Sequence, residues 1–185
     1  RDLYRWRIMY SSSSRFRRRV IIPSFDAMGD LNYYIARSID CEKKPKYLNS
    51  KVSKNEIIFN GIDADWSQPI ILVEGVFDAI KSLENTIPLL GSTLSKKSKL
   101  YYALIKNGTD VTLSLDPDLK EKTFKLANNL SKDGCTVRIS FAPDGNDLGQ
   151  LSKSDVKELV SNAAYYNPMV ALKYRIGQIK SGSIL

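Results

Sequence analysis

The run Ile70-Ile71-Leu72-Val73 constrains the fold more than any other stretch of this chain. Four consecutive apolar residues without alternation are expected of a short strand buried on both faces, the signature of a covered parallel sheet. The sequence downstream repeats the theme. Glu74-Gly75 ends the run, and Val76, Phe77, Ala79, Ile80 and Leu83 then recur at helical spacing. Pro88-Leu89-Leu90-Gly91 reads as a second strand, and residues 95–106 as a helix with Leu100, Ala103 and Leu104 inward. Val111-Thr112-Leu113-Ser114-Leu115 is a third strand, closing at Asp116-Pro117-Asp118. A helix over residues 119–130, stopped near Gly134, and a fourth strand over 136–141 complete the alternation. Short strands alternating with helices predict an α/β fold with a mainly parallel sheet.

The sequence on either side differs in kind. Four serines at 11–14 follow an aromatic, basic opening. Arg19–Phe25 and Leu31–Ser38 then read as a hairpin across Asp26-Ala27-Met28-Gly29-Asp30, which carries turn chemistry. Residues 40–67 are polar and lysine-bearing, with one apolar knot at Ile57-Ile58-Phe59. Helices are expected at 153–164 and 169–179. The expected organisation is a basic N-terminal α+β subdomain over residues 1–68, the α/β domain over 69–151 and a short C-terminal helical segment over 152–185.

Charge narrows the function. The formal net charge is +8, and Arg1, Arg5, Arg7, Arg15, Arg17, Arg18 and Arg19 crowd one end with only Asp2 to oppose them. Such a surplus favours polyanionic partners, nucleic acid first among them, although a merely soluble basic protein has the same composition. The chain contains no histidine, which excludes Ser-His triads and His-dependent acid–base catalysis within it. Cys41 and Cys135 are far apart in sequence, so ordinary zinc sites are excluded too, and any metal must be held by oxygen. Two isolated thiols fit a reducing interior, and no apolar run is long enough to cross a bilayer. Arg1 opens the sequence without a signal-peptide pattern, as expected of a cytoplasmic fragment or processed chain.

Acids cluster at the predicted strand ends: Glu74, then Asp116 with Asp118, then Asp144 with Asp147. Open α/β sheets bind ligands beyond the carboxyl ends of their strands. Carboxylates gathered there repel one another unless a cation neutralises them, and Mg²⁺ suits oxygen ligands and phosphate. Each acid has a plainer reading as well: a surface glutamate, an Asp-Pro-Asp turn that starts a helix, an ordinary Asp-Gly-Asn-Asp loop.

Leu72-Val73-Glu74-Gly75-Val76-Phe77-Asp78, with Ser114-Leu115-Asp116-Pro117-Asp118 downstream, resembles the TOPRIM domain of bacterial-type primases, topoisomerases and certain nucleases. Arg15-Phe16-Arg17-Arg18-Arg19-Val20-Ile21-Ile22-Pro23 and Pro45-Lys46-Tyr47-Leu48-Asn49-Ser50 resemble segments that precede TOPRIM in DnaG-like primases. Gly91-Ser92-Thr93 and Pro143-Asp144-Gly145-Asn146-Asp147 fall where such primases carry similar stretches.

The resemblance implies a Rossmann-like TOPRIM sheet and a primase core that makes short RNA primers on single-stranded DNA during replication. It implies catalytic roles for Glu74, Asp116 and Asp118, with Asp78 and Asp147 completing a Mg²⁺ or Mn²⁺ site. Gly149 stands where the family's later motif has a second acid. It also implies that Arg37 lies near the nucleotide path. Lys46, Tyr47 and Asn49 combine a cation, a stacking ring and an amide, which suits single strands or nucleotides. Alternation along an extended segment puts Arg15, Arg17 and Arg19 on one face, a row able to follow template phosphates or simply a solvated edge. Ribonucleoside triphosphates, a replicative helicase and a zinc-binding module outside this sequence are the implied partners. The short C-terminal helices fit a compact, phage-type primase. A TOPRIM nuclease and a non-catalytic single-strand binder are the alternatives.

Overall fold

The computed structural model describes residues 2–143 and 148–180. The chain divides into two compact units, Arg1–Asp65 with Ser95–Tyr102, and Trp66–Leu94 with Ala103–Leu185. In chain order the elements are α1 (Asp2–Arg5), β1 (Arg19–Phe25), β2 (Leu31–Ser38), β3 (Tyr47–Asn49), β4 (Ile70–Val73), α2 (Val76–Lys81), β5 (Thr86–Pro88), α3 (Lys99–Asn107), β6 (Val111–Leu113), α4 (Lys120–Lys132), β7 (Val137–Ile139), α5 (Lys153–Ser161), β8 (Ala164–Tyr165) and α6 (Pro168–Lys180).

The first unit is built on an antiparallel sheet in the order β1-β2-β3. Its hairpin has the expected bounds, because the turn makes its own hydrogen bonds. Asp26 Oδ1 accepts from the amides of Met28 and Asp30 at 2.9 and 3.0 Å, an Asx-type closure that fixes the register. Trp6, Ile22, Tyr33, Ile35, Ile57 and Phe59 form the core beneath it. The Phe59 ring lies 6.5 Å from that of Trp6 and 6.3 Å from that of Tyr33, so the apolar knot read at 57–59 is the anchor of an otherwise polar segment. The third strand, β3, was not expected. Its residues are exposed or half-buried and carry no apolar signal, and its pairing with β2 defines it instead.

The second unit contains a five-stranded sheet in the order β5-β4-β6-β7-β8. Strands β4 to β7 are mutually parallel, and all four residues of β4 are buried, as the continuous apolar run predicted. Phe124, Leu126, Ala127 and Leu130 of α4 are buried as well. Each large apolar side chain so removed from water contributes on the order of 2 kcal/mol.

Three boundaries differ from expectation. The second strand is Thr86–Pro88 rather than 88–91, since Leu90 and Gly91 have φ of 56° and 136° and turn the chain out of the sheet. The helix expected from 95 starts at Lys99, because the Ser98 hydroxyl accepts from the Tyr101 amide at 3.2 Å and caps it there. The helix from 153 stops at Ser161, and Ala164–Tyr165 instead pairs antiparallel with β7, making the sheet mixed at that edge. Among the described residues no helix is long and apolar enough to cross a membrane.

Candidate active site

The acids of the second unit are positioned by the strand register. Leu72 pairs with Leu113, and the Ser114 amide donates to the Leu72 carbonyl at 2.9 Å. The residues that leave β4 and β6 therefore emerge side by side, Glu74 from one and Asp116 from the other. Asp116 precedes Pro117, which holds it in an extended conformation (φ −58°, ψ 144°), and Asp118 lies on the following 3-10 turn, exposed. The Glu74 carbonyl accepts from the Gly91 amide at 3.1 Å, so the loop after β5 is fastened to the same strand end.

Asp78 comes one helical turn after Glu74 on α2. Its Oδ2 accepts from the Gly75 amide at 2.9 Å, one of the backbone donors that a helix start leaves unpaired. A Cβ on Gly75 would stand 3.0 Å from that oxygen, so the close turn from strand to helix requires glycine here. Asp78 is thus structural whatever else it does.

Electrostatics join the four carboxyls. Glu74 is half-buried, and its carboxyl is pushed above its ordinary value. Burial is the largest cause, followed by the charges of Asp116, Asp78 and Asp118 and a side-chain hydrogen bond with Asp116. Glu74 meets the crowding by favouring its protonated form, which has a hydrogen to share with Asp116. No three His, Cys, Asp or Glu side chains among the described residues stand in a ready ligand set. That agrees with like charges holding one another off. The donor chemistry is still that of a hard divalent cation: every available donor is a carboxylate oxygen, and the cluster carries negative charge that a cation would neutralise. Asp144 and Asp147, the remaining expected acids, lie outside the described residues.

Beside the acids is a cation that the sequence reading passed over. Lys122 Nζ on α4 donates to Ser92 Oγ at 2.9 Å, one residue beyond Gly91. Gly91-Ser92-Thr93 stood out in the sequence, but nothing there tied it to one lysine among many.

The basic residues of the first unit separate into two kinds. The row of Arg15, Arg17 and Arg19 on one extended face does not form. Residues 14–18 are turn, Arg18 has φ of 59°, and the strand begins only at Arg19. Arg15 and Arg17 are exposed, the Arg15 guanidinium lying 5.4 Å from the Phe16 ring centre. Arg19 is only 3% exposed, and its guanidinium donates to the carbonyls of Ala36, Lys46 and Pro45 at 3.3, 3.1 and 2.7 Å. It is a structural clamp inside the sheet, unable to reach a phosphate. Arg18, its neighbour, forks onto Asp40.

The other expected residues do gather. Arg37 on β2 pairs in register with Tyr47 on β3. The Arg37 guanidinium lies 5.8 Å and Lys46 Nζ 5.9 Å from the Tyr47 ring centre. Tyr47 is 40% exposed, and Lys46 and Asn49 are exposed beside it. An open aromatic ring between two cations can stack on a base while the charges meet phosphate.

No family model matches the chain. A curated DNA primase of Clostridium acetobutylicum is 33% identical over 167 residues, which are 80% of this chain and 27% of that primase. The chain thus spans little more than a quarter of that relative's length. The solved zinc-binding and RNA polymerase domains of the Aquifex aeolicus primase share the fold, with a TM-score of 0.71 at 23% identity over 94% of this chain and 48% of that one. A DnaG primase catalytic domain bound to single-stranded DNA shares it as well, with a TM-score of 0.67 at 20% identity over 88% of this chain and 60% of that one.

Proposed function

The chain is a sequence relative of bacterial DNA primases and carries the fold of their DnaG-type catalytic core, and from this we propose that it synthesises short RNA primers on single-stranded DNA. The reaction is nucleotidyl transfer: a 3′-hydroxyl attacks the α-phosphate of a ribonucleoside triphosphate, and pyrophosphate leaves. The observation that carries the reading is the perturbation of Glu74 by Asp116, Asp78 and Asp118 at the carboxyl edge of the parallel sheet.

In this proposal Asp116 and Asp118 hold a divalent cation, Mg²⁺ or Mn²⁺, with Asp78 and Asp147 completing the acidic surround. When bound, the cation supplies Lewis acidity, lowering the pKa of the attacking hydroxyl and offsetting charge that develops on phosphate. Glu74 takes the proton of the 3′-hydroxyl, a role that its raised pKa and half-buried position suit. Arg15 and Arg17 meet template phosphates, while Arg37, Lys46, Tyr47 and Asn49 receive a base or nucleotide. The solved DnaG domain bound to single-stranded DNA supports a single-stranded template. A helicase and a zinc-binding module are proposed as partners, and the cytoplasm as the place of action.

Incubation with single-stranded DNA, ribonucleotides and Mn²⁺ tests the reading directly, with oligoribonucleotides as the expected product. Shortened DNA without new oligomers would instead assign the same acids to hydrolysis, and retention of DNA with neither product would leave a binder.

A further inference from the structure

We propose that Ser92 and Lys122 form a phosphate-binding pair beside the acid cluster, which takes the polyphosphate of a nucleoside triphosphate. The pair rests on the polymerase reading and adds to it a determinant of nucleotide affinity. Three observations point to it. First, the loop after β5 is strained and fastened: Leu90 and Gly91 have φ of 56° and 136°, and the Gly91 amide is held by the Glu74 carbonyl at 3.1 Å. A leucine in the left-handed region costs on the order of 1–3 kcal/mol, and such cost concentrates where a site needs a particular shape. Here the shape holds Ser92 next to the strand end that carries Glu74.

Second, Lys122 Nζ donates to Ser92 Oγ at 2.9 Å. A hydroxyl that accepts from an ammonium keeps its own proton to donate, and the ammonium has three donors in all. Two such groups side by side, one charged and one neutral, suit adjacent phosphate oxygens. Third, Lys122 and Lys120 both lie in the first turn of α4, where a cation opposes the helix dipole. Lys120 has a packing reason, since its Nζ lies 5.6 Å from the Phe141 ring centre and 5.9 Å from that of Tyr174. Lys122 is exposed and reaches the strained loop instead.

Calorimetric titration of the full chain with inorganic tripolyphosphate in Mg²⁺ tests the pair. Lys122→Ala should weaken binding by about tenfold and Ser92→Ala by about threefold, as loss of one charged and one neutral hydrogen bond implies. Lys125→Ala, an exposed lysine on the same helix, should bind like the parent. In primer synthesis, Lys122→Ala should raise KM for the nucleotide and leave the affinity for single-stranded DNA unchanged. Parent-like tripolyphosphate binding by Lys122→Ala, or no binding by the parent, overturns the pair even if primers are made. Loss of binding in Lys122→Ala, from a parent that makes no oligonucleotide, upholds the pair and sinks the polymerase reading.

Discussion

Two carboxyls, one in each unit, move in opposite directions. Asp40 in the first unit sits under the fork of Arg18, whose hydrogen bonds and charge hold it below its ordinary value. Glu74 in the second unit is pushed up by burial and by three carboxyls around it. Within the first unit the protein completes its own electrostatics: Arg7 pairs with Asp63, Arg18 with Asp40, and Arg19 with backbone carbonyls. The acid cluster of the second unit is left with a surplus of negative charge. A folded chain keeps such an arrangement at a cost in stability, and a cationic ligand relieves that cost.

The contrast breaks most severely at Asp116. Asp116→Asn or Asp118→Asn should reduce nucleotide incorporation on the order of a thousandfold, the several kcal/mol that a lost cation represents. Binding of single-stranded DNA, measured by fluorescence anisotropy, should persist. Undiminished synthesis would remove these residues from the site. Next in size is Arg19→Ala, which strips three carbonyls of their donor and should cost about 3 kcal/mol in urea unfolding. A change under about 0.5 kcal/mol would return Arg19 to the surface class.

Glu74→Gln sharpens the comparison from the other side. A carboxyl whose folded value is raised contributes stability that is present in full below its ordinary range and is lost as pH rises through the raised value. The glutamine variant should therefore melt above the parent at neutral pH and match it in acid. Melting that is unaltered at every pH would mean that Glu74 does not sense its neighbours. The smallest effect belongs to Arg17→Ala, exposed and in a turn. Stability should stay within about 0.5 kcal/mol, while DNA affinity falls a fewfold at low salt and less at high salt. A loss independent of salt would point to a different contact.

Much of this was legible in the residues, for reasons that differ by element. The β4 run and the β1–β2 hairpin have the expected bounds, since a continuous apolar stretch and a self-bonded Asp26 turn are local signals. Strand β3 was not legible, because only pairing with β2 makes Tyr47–Asn49 a strand. The acids were located by following strand ends, and the resemblance to TOPRIM chose them over plain turns. The arginine row failed on a single dihedral: parity along a strand says nothing about where the strand begins, and Arg18 turns the chain just before it does. Lys122 and Ser92 are thirty residues apart and meet only through the fold.

The grip of Arg19 on the carbonyls of Pro45 and Lys46 has a mechanical consequence for the neighbouring ring. Tyr47 is the next residue along, so the stacking platform is bolted to β1 from beneath instead of riding on a loose surface segment. Whatever settles on that ring should damp amide hydrogen exchange along the hairpin, well beyond the atoms it touches.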